Sequence, residues 1–158
     1  MESKEIIALM DNISFFDDFS EGEKETLSRI ENHILSPDPG DLIIRQGDTD
    51  STIFVLIKGQ VAITRNEIPG EELNTLSAGA VFGEVPLITG SARSTNVMAK
   101  ESVVLLKMDG YLFNNLDPAI LNKFKDQLLK LLIKRMGEMN EAMAKLKQEN
   151  LGTYVRKN

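Results

Sequence analysis

Six short runs of aliphatic and β-branched residues lie between positions 41 and 109: LIIR (42–45), IFVLI (53–57), VAIT (61–64), ELNTL (72–76), NVMA (96–99) and SVVLLKM (102–108). The turn signals Gly47-Asp48, Lys58-Gly59-Gln60, Pro69-Gly70 and Ala78-Gly79 fall between the earlier runs. Strands this short, joined by turns this tight, leave no room for crossover helices. The pattern therefore predicts a mainly β fold, an antiparallel β-roll or jelly roll over residues 41–116, and excludes repeated βαβ units.

The flanks have a helical period. Residues 1–40 form an N-terminal helical segment in which Ile6, Ile7, Leu9 and Met10 cluster. Ser20 stands three residues before Glu23, a capping-box spacing that opens a helix toward Leu27 and Ile30. His33 falls at the end of this segment and is expected as a surface or capping residue. Asp117-Pro118 opens a C-terminal helix over 117–150, followed by a tail, 151–158, expected to fray from Gly152. From Leu128, steps of 4, 3, 4, 3 and 4 run through Leu132, Arg135, Met139, Ala142 and Leu146. Such a heptad seam either pairs two copies as a homodimer or packs the helix onto the sheet. Met136, Met139 and Met143 add an adaptable surface.

Composition removes most catalytic chemistry. The chain has no cysteine and one histidine, so thiolate sites, H-x-H metal pairs and H-E-x-x-H helices are impossible. No serine lies in G-x-S-x-G. Neither an enzyme nor a bound metal is expected. Residues 1–118 carry a net charge of −11, with twenty acids and nine bases, which argues against nucleic acid as the main ligand. Residues 119–158 carry +5, but their lysines alternate with apolar positions as on a solvated helix face. No run suits a membrane span and the acidic N-terminus does not suit a signal peptide, so a cytoplasmic location is expected.

One segment stands apart. Across the 27 residues from Leu73 to Ala99 there are two charges, Glu84 and Arg93. The bland explanation is an ion pair between them across a loop. The functional explanation is a pocket whose acid and base each take a ligand group. Gly83 permits close backbone approach, and Pro86 suits the first turn of a short helix through Leu87 and Ile88. Gly90 allows a left-handed exit, and Ser94 supplies a hydroxyl beside Arg93. A guanidinium fork fits a phosphate and a carboxylate fits a sugar diol, which together suggest a small phosphorylated nucleoside.

FGEVPLITGSARSTNVMA (82–99) resembles the phosphate-binding cassette of the cyclic nucleotide-binding domain family, with its F-G-E-[LIVM]-x-L, short spacer and P-R-[STA]-A-T-V. IIRQGDTDSTIFVLIKGQVAI resembles that family's G-D followed by F-[IV]-L-x-x-G-x-[VA], and FFDDFSEGEKETL resembles its leading helices. The resemblance covers about residues 5–135, with the cassette at 82–98. It implies a β-roll flanked by helices that binds cAMP or cGMP as ligand, uses no cofactor, and relays binding through the following helix.

By the same resemblance, Glu84 accepts the ribose 2′-hydroxyl with Gly83 contributing backbone. Arg93 pairs with the cyclic phosphate, flanked by Ser94, Val85 and Pro86. The base would meet Leu73 or Val85 on the roll and Arg135, Met139 or Asn140 on the helix. Five positions depart from the family pattern. Pro86 replaces a common alanine and its amide donor, Ala92 replaces the proline before the arginine, and Thr95-Asn96 replaces Ala-Thr, crowding a small-residue site. Asp50 stands where the upstream motif prefers glycine. Members selective for cGMP often carry threonine directly after the arginine; Ser94 here favours cAMP. The alternative use of the same fold is an interaction or dimerisation module whose pocket no longer takes nucleotide. A downstream protein partner is implied but not identified. The eight residues after Asn150 leave no space for a helix-turn-helix, so no DNA-binding domain is expected in this chain.

Overall fold

The computed structural model describes residues 1–84, 86 and 89–157, with side chains through residue 152. It divides into two compact units, Met1–Asp117 and Pro118–Asn158.

In the first unit, α1 (Ser3–Met10), a 3₁₀ turn (Ser14–Phe16) and α2 (Glu21–Ser28) precede eight strands. The capping box forms as predicted: the Glu23 amide donates to Ser20 Oγ at 3.1 Å and the Ser20 amide to Glu23 Oε1 at 2.8 Å. The strands are β1 (Ile34–Leu35), β2 (Leu42–Ile44), β3 (Ile53–Lys58), β4 (Gln60–Thr64), β5 (Asn74–Ser77), β6 (Val81–Phe82), β7 (Asn96–Ala99) and β8 (Val104–Met108). They form two four-stranded antiparallel sheets, ordered β1-β8-β3-β6 and β2-β7-β4-β5. All six predicted runs are strands. The sequence reading missed β1 and β6, since two residues are too few to establish a period of two. It also missed the short helix α3 (Gly110–Asn115), capped by the Asp109 carboxylate on the Leu112 amide at 3.0 Å.

Alternation along β3 explains how the roll buries both faces. Phe54 and Leu56 enter the inter-sheet core with Ile44, Val61, Phe82, Val97, Ala99, Val103 and Leu105. Phe54 stacks on its cross-strand partner Phe82 with ring centroids 5.3 Å apart. Ile53, Val55 and Ile57 are also buried and point the other way, on the face where α1 packs against β3. Met10, Phe15, Phe16, Phe19 and Leu27 complete the apolar cluster of the N-terminal segment.

His33 corrects the surface expectation: it is buried. Its Nδ1 lies 2.8 Å from the Glu31 carbonyl and its Nε2 3.1 Å from Asp109 Oδ1, while its ring stacks on Tyr111. The residue therefore ties the end of the N-terminal segment to the cap of α3. Sequence spacing gave no sign of a contact 76 positions away.

The second unit is one helix, α4 (Pro118–Lys157). It starts at the predicted proline and continues through Lys157, where fraying was expected from Gly152. A second heptad track lies alongside the predicted one and shares Leu132, Met139 and Leu146 with it. The exposed large apolar side chains of this helix, among the described residues, are Leu129, Ile133, Met136, Met139, Met143, Leu146 and Leu151, and Leu129, the half-buried Leu132, Met136, Met139, Met143 and Leu146 step by 3, 4, 3, 4 and 3. A helix of 3.6 residues per turn offers two adjacent tracks of this spacing. The one through Arg135 and Ala142 is the less apolar. Among the described residues, no helix is long and apolar enough to cross a membrane.

Candidate functional site

The cassette lies between β6 and β7, and the Gly47–Thr52 loop that leads into β3 meets it. The two are joined through Arg93. On the main chain, the Gly47 amide donates to the Arg93 carbonyl at 2.8 Å and the Arg93 amide to the Asp48 carbonyl at 2.7 Å. On the side chain, Nη2 donates to Asp50 Oδ1 at 2.7 Å and to the Thr52 carbonyl at 2.6 Å. Nη1 donates to the Gly83 carbonyl at 2.6 Å, and Nε reaches Asp50 Oδ2 at 3.4 Å. The guanidinium is almost wholly enclosed, with 3% of its side chain exposed, whereas 49% of the Asp50 side chain is exposed. The hydrogen bond from Arg93 holds the Asp50 carboxyl below the usual carboxylate range, against the opposing effect of burial.

This corrects the bland explanation of the two charges. Arg93 does pair across a loop, but with Asp50 rather than Glu84. Sequence reading noted Asp50 as a departure from the glycine pattern without assigning it a role. The Thr52 carbonyl is main chain and could leave no sequence signal.

Glu84 is buried on the same segment. Gly83, immediately before it, adopts φ +88°, and a Cβ there would lie 2.7 Å from the Thr52 carbonyl oxygen and 3.0 Å from Arg93 Nη1. The close approach inferred for this glycine is therefore to the protein's own loop and arginine. Pro86 is buried and helical, the Gly90 amide donates to its carbonyl at 2.9 Å, and Gly90 exits with φ +67°. Val85, Leu87 and Ile88 lie outside the described residues. Ser94 and Ala92 are exposed.

Asn96, one of the two residues expected to crowd the site, is half-buried. Its side chain turns toward a polar network, accepting from the Gln46 amide and donating to Asn66 Oδ1, each at 2.8 Å. On the roll, Leu73 is 45% exposed, with its amide bonded to the Ile63 carbonyl. Arg135 and Asn140 belong to the helical unit. The first unit thus carries Gly83, Glu84 and Arg93 on one segment, with both the acid and the base buried. An enclosed guanidinium and a buried carboxylate on one segment are a recognition chemistry for an anion with a polar, hydroxyl-bearing neighbour.

The fold and this constellation define a class, a β-roll that carries a cassette for a small anionic ligand. The model of the cyclic nucleotide-binding domain matches residues 35–116, and the chain belongs to that family. Over 81 residues it is 41% identical to human cGMP-dependent protein kinase 2, a match covering 49% of this chain and 11% of the kinase. The chain therefore spans about a tenth of the length of such curated relatives. A cyclic nucleotide-binding domain from Methylobacillus flagellatus superposes with a TM-score of 0.62 at 25% identity, covering 86% of this chain and 79% of that one. The catabolite activator protein of Thermus thermophilus superposes with a TM-score of 0.66 at 24% identity, covering 84% and 62%.

Proposed function

We propose that this chain is a cyclic nucleotide sensor that takes cAMP ahead of cGMP and signals through α4. The carrying observation is the Gly83–Glu84…Arg93 segment, which holds a buried acid and a buried base in a family cassette. Arg93 pairs with the cyclic phosphate, and the exposed Ser94 adds its hydroxyl or amide beside it. Val85 and Pro86 flank the same group. Glu84 accepts the ribose 2′-hydroxyl, with Gly83 supplying backbone. The base rests on Leu73 of the roll. Bound nucleotide favours one placement of α4 over another, and that difference in affinity is what a partner reads.

The preference for cAMP rests on Ser94. The kinase relative above carries cGMP in its name, so both nucleotides belong in the same titration. Calorimetry of the folded chain should show saturable binding, weakened about tenfold to a hundredfold by Glu84→Ala, the size of one charge-assisted hydrogen bond. Absence of heat with either nucleotide from demonstrably folded protein overturns the sensor reading. The module that keeps the fold without the ligand then takes its place, a reading favoured by the engagement of Arg93 with Asp50.

The α4 seam suits a second copy of the chain. Its methionines at 136, 139 and 143 are 62%, 63% and 53% exposed, an apolar stripe that a lone helix leaves in water. Sedimentation velocity should show a dimer that Met136→Asp with Met143→Asp converts to monomer. A wild-type chain that stays monomeric at high concentration removes the pairing, and the sensor reading stands without it.

A further inference from the structure

Arg93 has five N–H groups, and four are engaged within the protein. The Nε–Nη2 edge, the side of the fork that reads an oxyanion with two parallel bonds, faces the two oxygens of Asp50. The second Nη2 hydrogen goes to the Thr52 carbonyl and one Nη1 hydrogen to the Gly83 carbonyl. One Nη1 hydrogen remains, beside Gly83, where even a Cβ would sit 3.0 Å from Nη1. A single crowded hydrogen does not make a bidentate pair.

We propose that Asp50 is a built-in competitor, a carboxylate that occupies the phosphate edge of Arg93 and must be released for an anionic ligand to bind. This deepens the sensor reading above and rests on it. A cyclic phosphodiester and a carboxylate each carry one negative charge, so exchanging them leaves the charge around Arg93 unchanged. The ligand then gains the difference between two charge-assisted pairs rather than the whole of one. This chain carries the carboxylate at position 50, where the resembling motif prefers glycine. The geometry permits release: half of the Asp50 side chain already meets solvent. The main-chain bonds from Gly47 and Asp48 to Arg93 keep the loop attached to the cassette while the carboxylate leaves. Thr52 sits directly before β3, so the exchange is transmitted to that strand.

The test is titration of cAMP into the wild-type chain, Asp50→Asn and Asp50→Ser, each checked for folding by circular dichroism. Both variants should bind at least about tenfold more tightly than wild type, because the ligand no longer displaces an ion. Binding by the variants where the wild type shows none supports the competition at Arg93 and overturns the sensor reading for the wild-type chain. Unchanged or weaker binding in the variants overturns it, assigns Asp50 to holding Arg93 in place, and leaves the sensor reading intact. No binding by any of the three folded proteins overturns both readings. Should the variants fail to fold, the wild type still decides through the Asp50 carboxyl carbon in NMR. Saturating cAMP should raise its titration midpoint toward that of an ordinary aspartate, and an unmoved midpoint in saturated protein overturns the competition.

Discussion

Arg93→Ala is expected to weaken nucleotide binding by about a hundredfold and to cost about 2–4 kcal/mol of stability. The binding loss follows from removing the guanidinium proposed to take the phosphate. The stability loss follows from what is left behind. The carbonyls of Thr52 and Gly83 lose their Nη donors, while Asp50, half exposed, returns to water at little cost. Arg93→Lys separates the two effects. It keeps the charge but replaces a planar fork with a point donor, so stability should partly recover while affinity stays at least about tenfold down. Urea unfolding and calorimetric titration read the two quantities independently. An Arg93→Ala chain that binds cAMP as wild type does would remove Arg93 from the site.

Gly83→Ala should be nearly as damaging, though only a methyl group is added. The backbone there sits at φ +88°, where a side chain costs about 1–2 kcal/mol. The new Cβ would also lie 2.7 Å from the Thr52 carbonyl oxygen, a main-chain atom held by Arg93 and next to β3. The expected total is about 2–4 kcal/mol, with weakened nucleotide binding because the collision pushes on Arg93. Gly47→Ala is the control. Its φ is +94° but nothing lies within 4 Å of where the added methyl would sit, so it should show the backbone cost alone, about 1–2 kcal/mol. Equal melting midpoints for the two variants would mean that the contact with Thr52 carries no strain.

Much of the fold was legible because its signals are local. The short aliphatic and β-branched runs IFVLI and VAIT, the turns at Gly59 and Gly79, and the Ser20–Glu23 spacing are each local signals, and the structure contains all of them. What was missed had no local signal. Strands β1 and β6 are two residues long, held by pairing with β8 and β3 rather than by their own pattern. His33 was read as a surface residue because its partners Asp109 and Tyr111 are remote in sequence.

The candidate site divides in the same way. The amino-acid order alone determined that one acid and one base stand in a charge-poor segment after a glycine, because charge density and residue identity need no coordinates. It also determined the helical and strand periods, which follow from backbone geometry. Tertiary structure decided that Arg93 faces Asp50, 43 positions away, instead of Glu84. It also leaves Leu129 and Met136 exposed while Leu128 and Arg135 are half-buried. In each case the sequence offered two acceptable partners or faces of similar chemistry. The choice between them depends on which groups the fold brings within hydrogen-bonding distance or leaves in water, and that is a property of the folded chain.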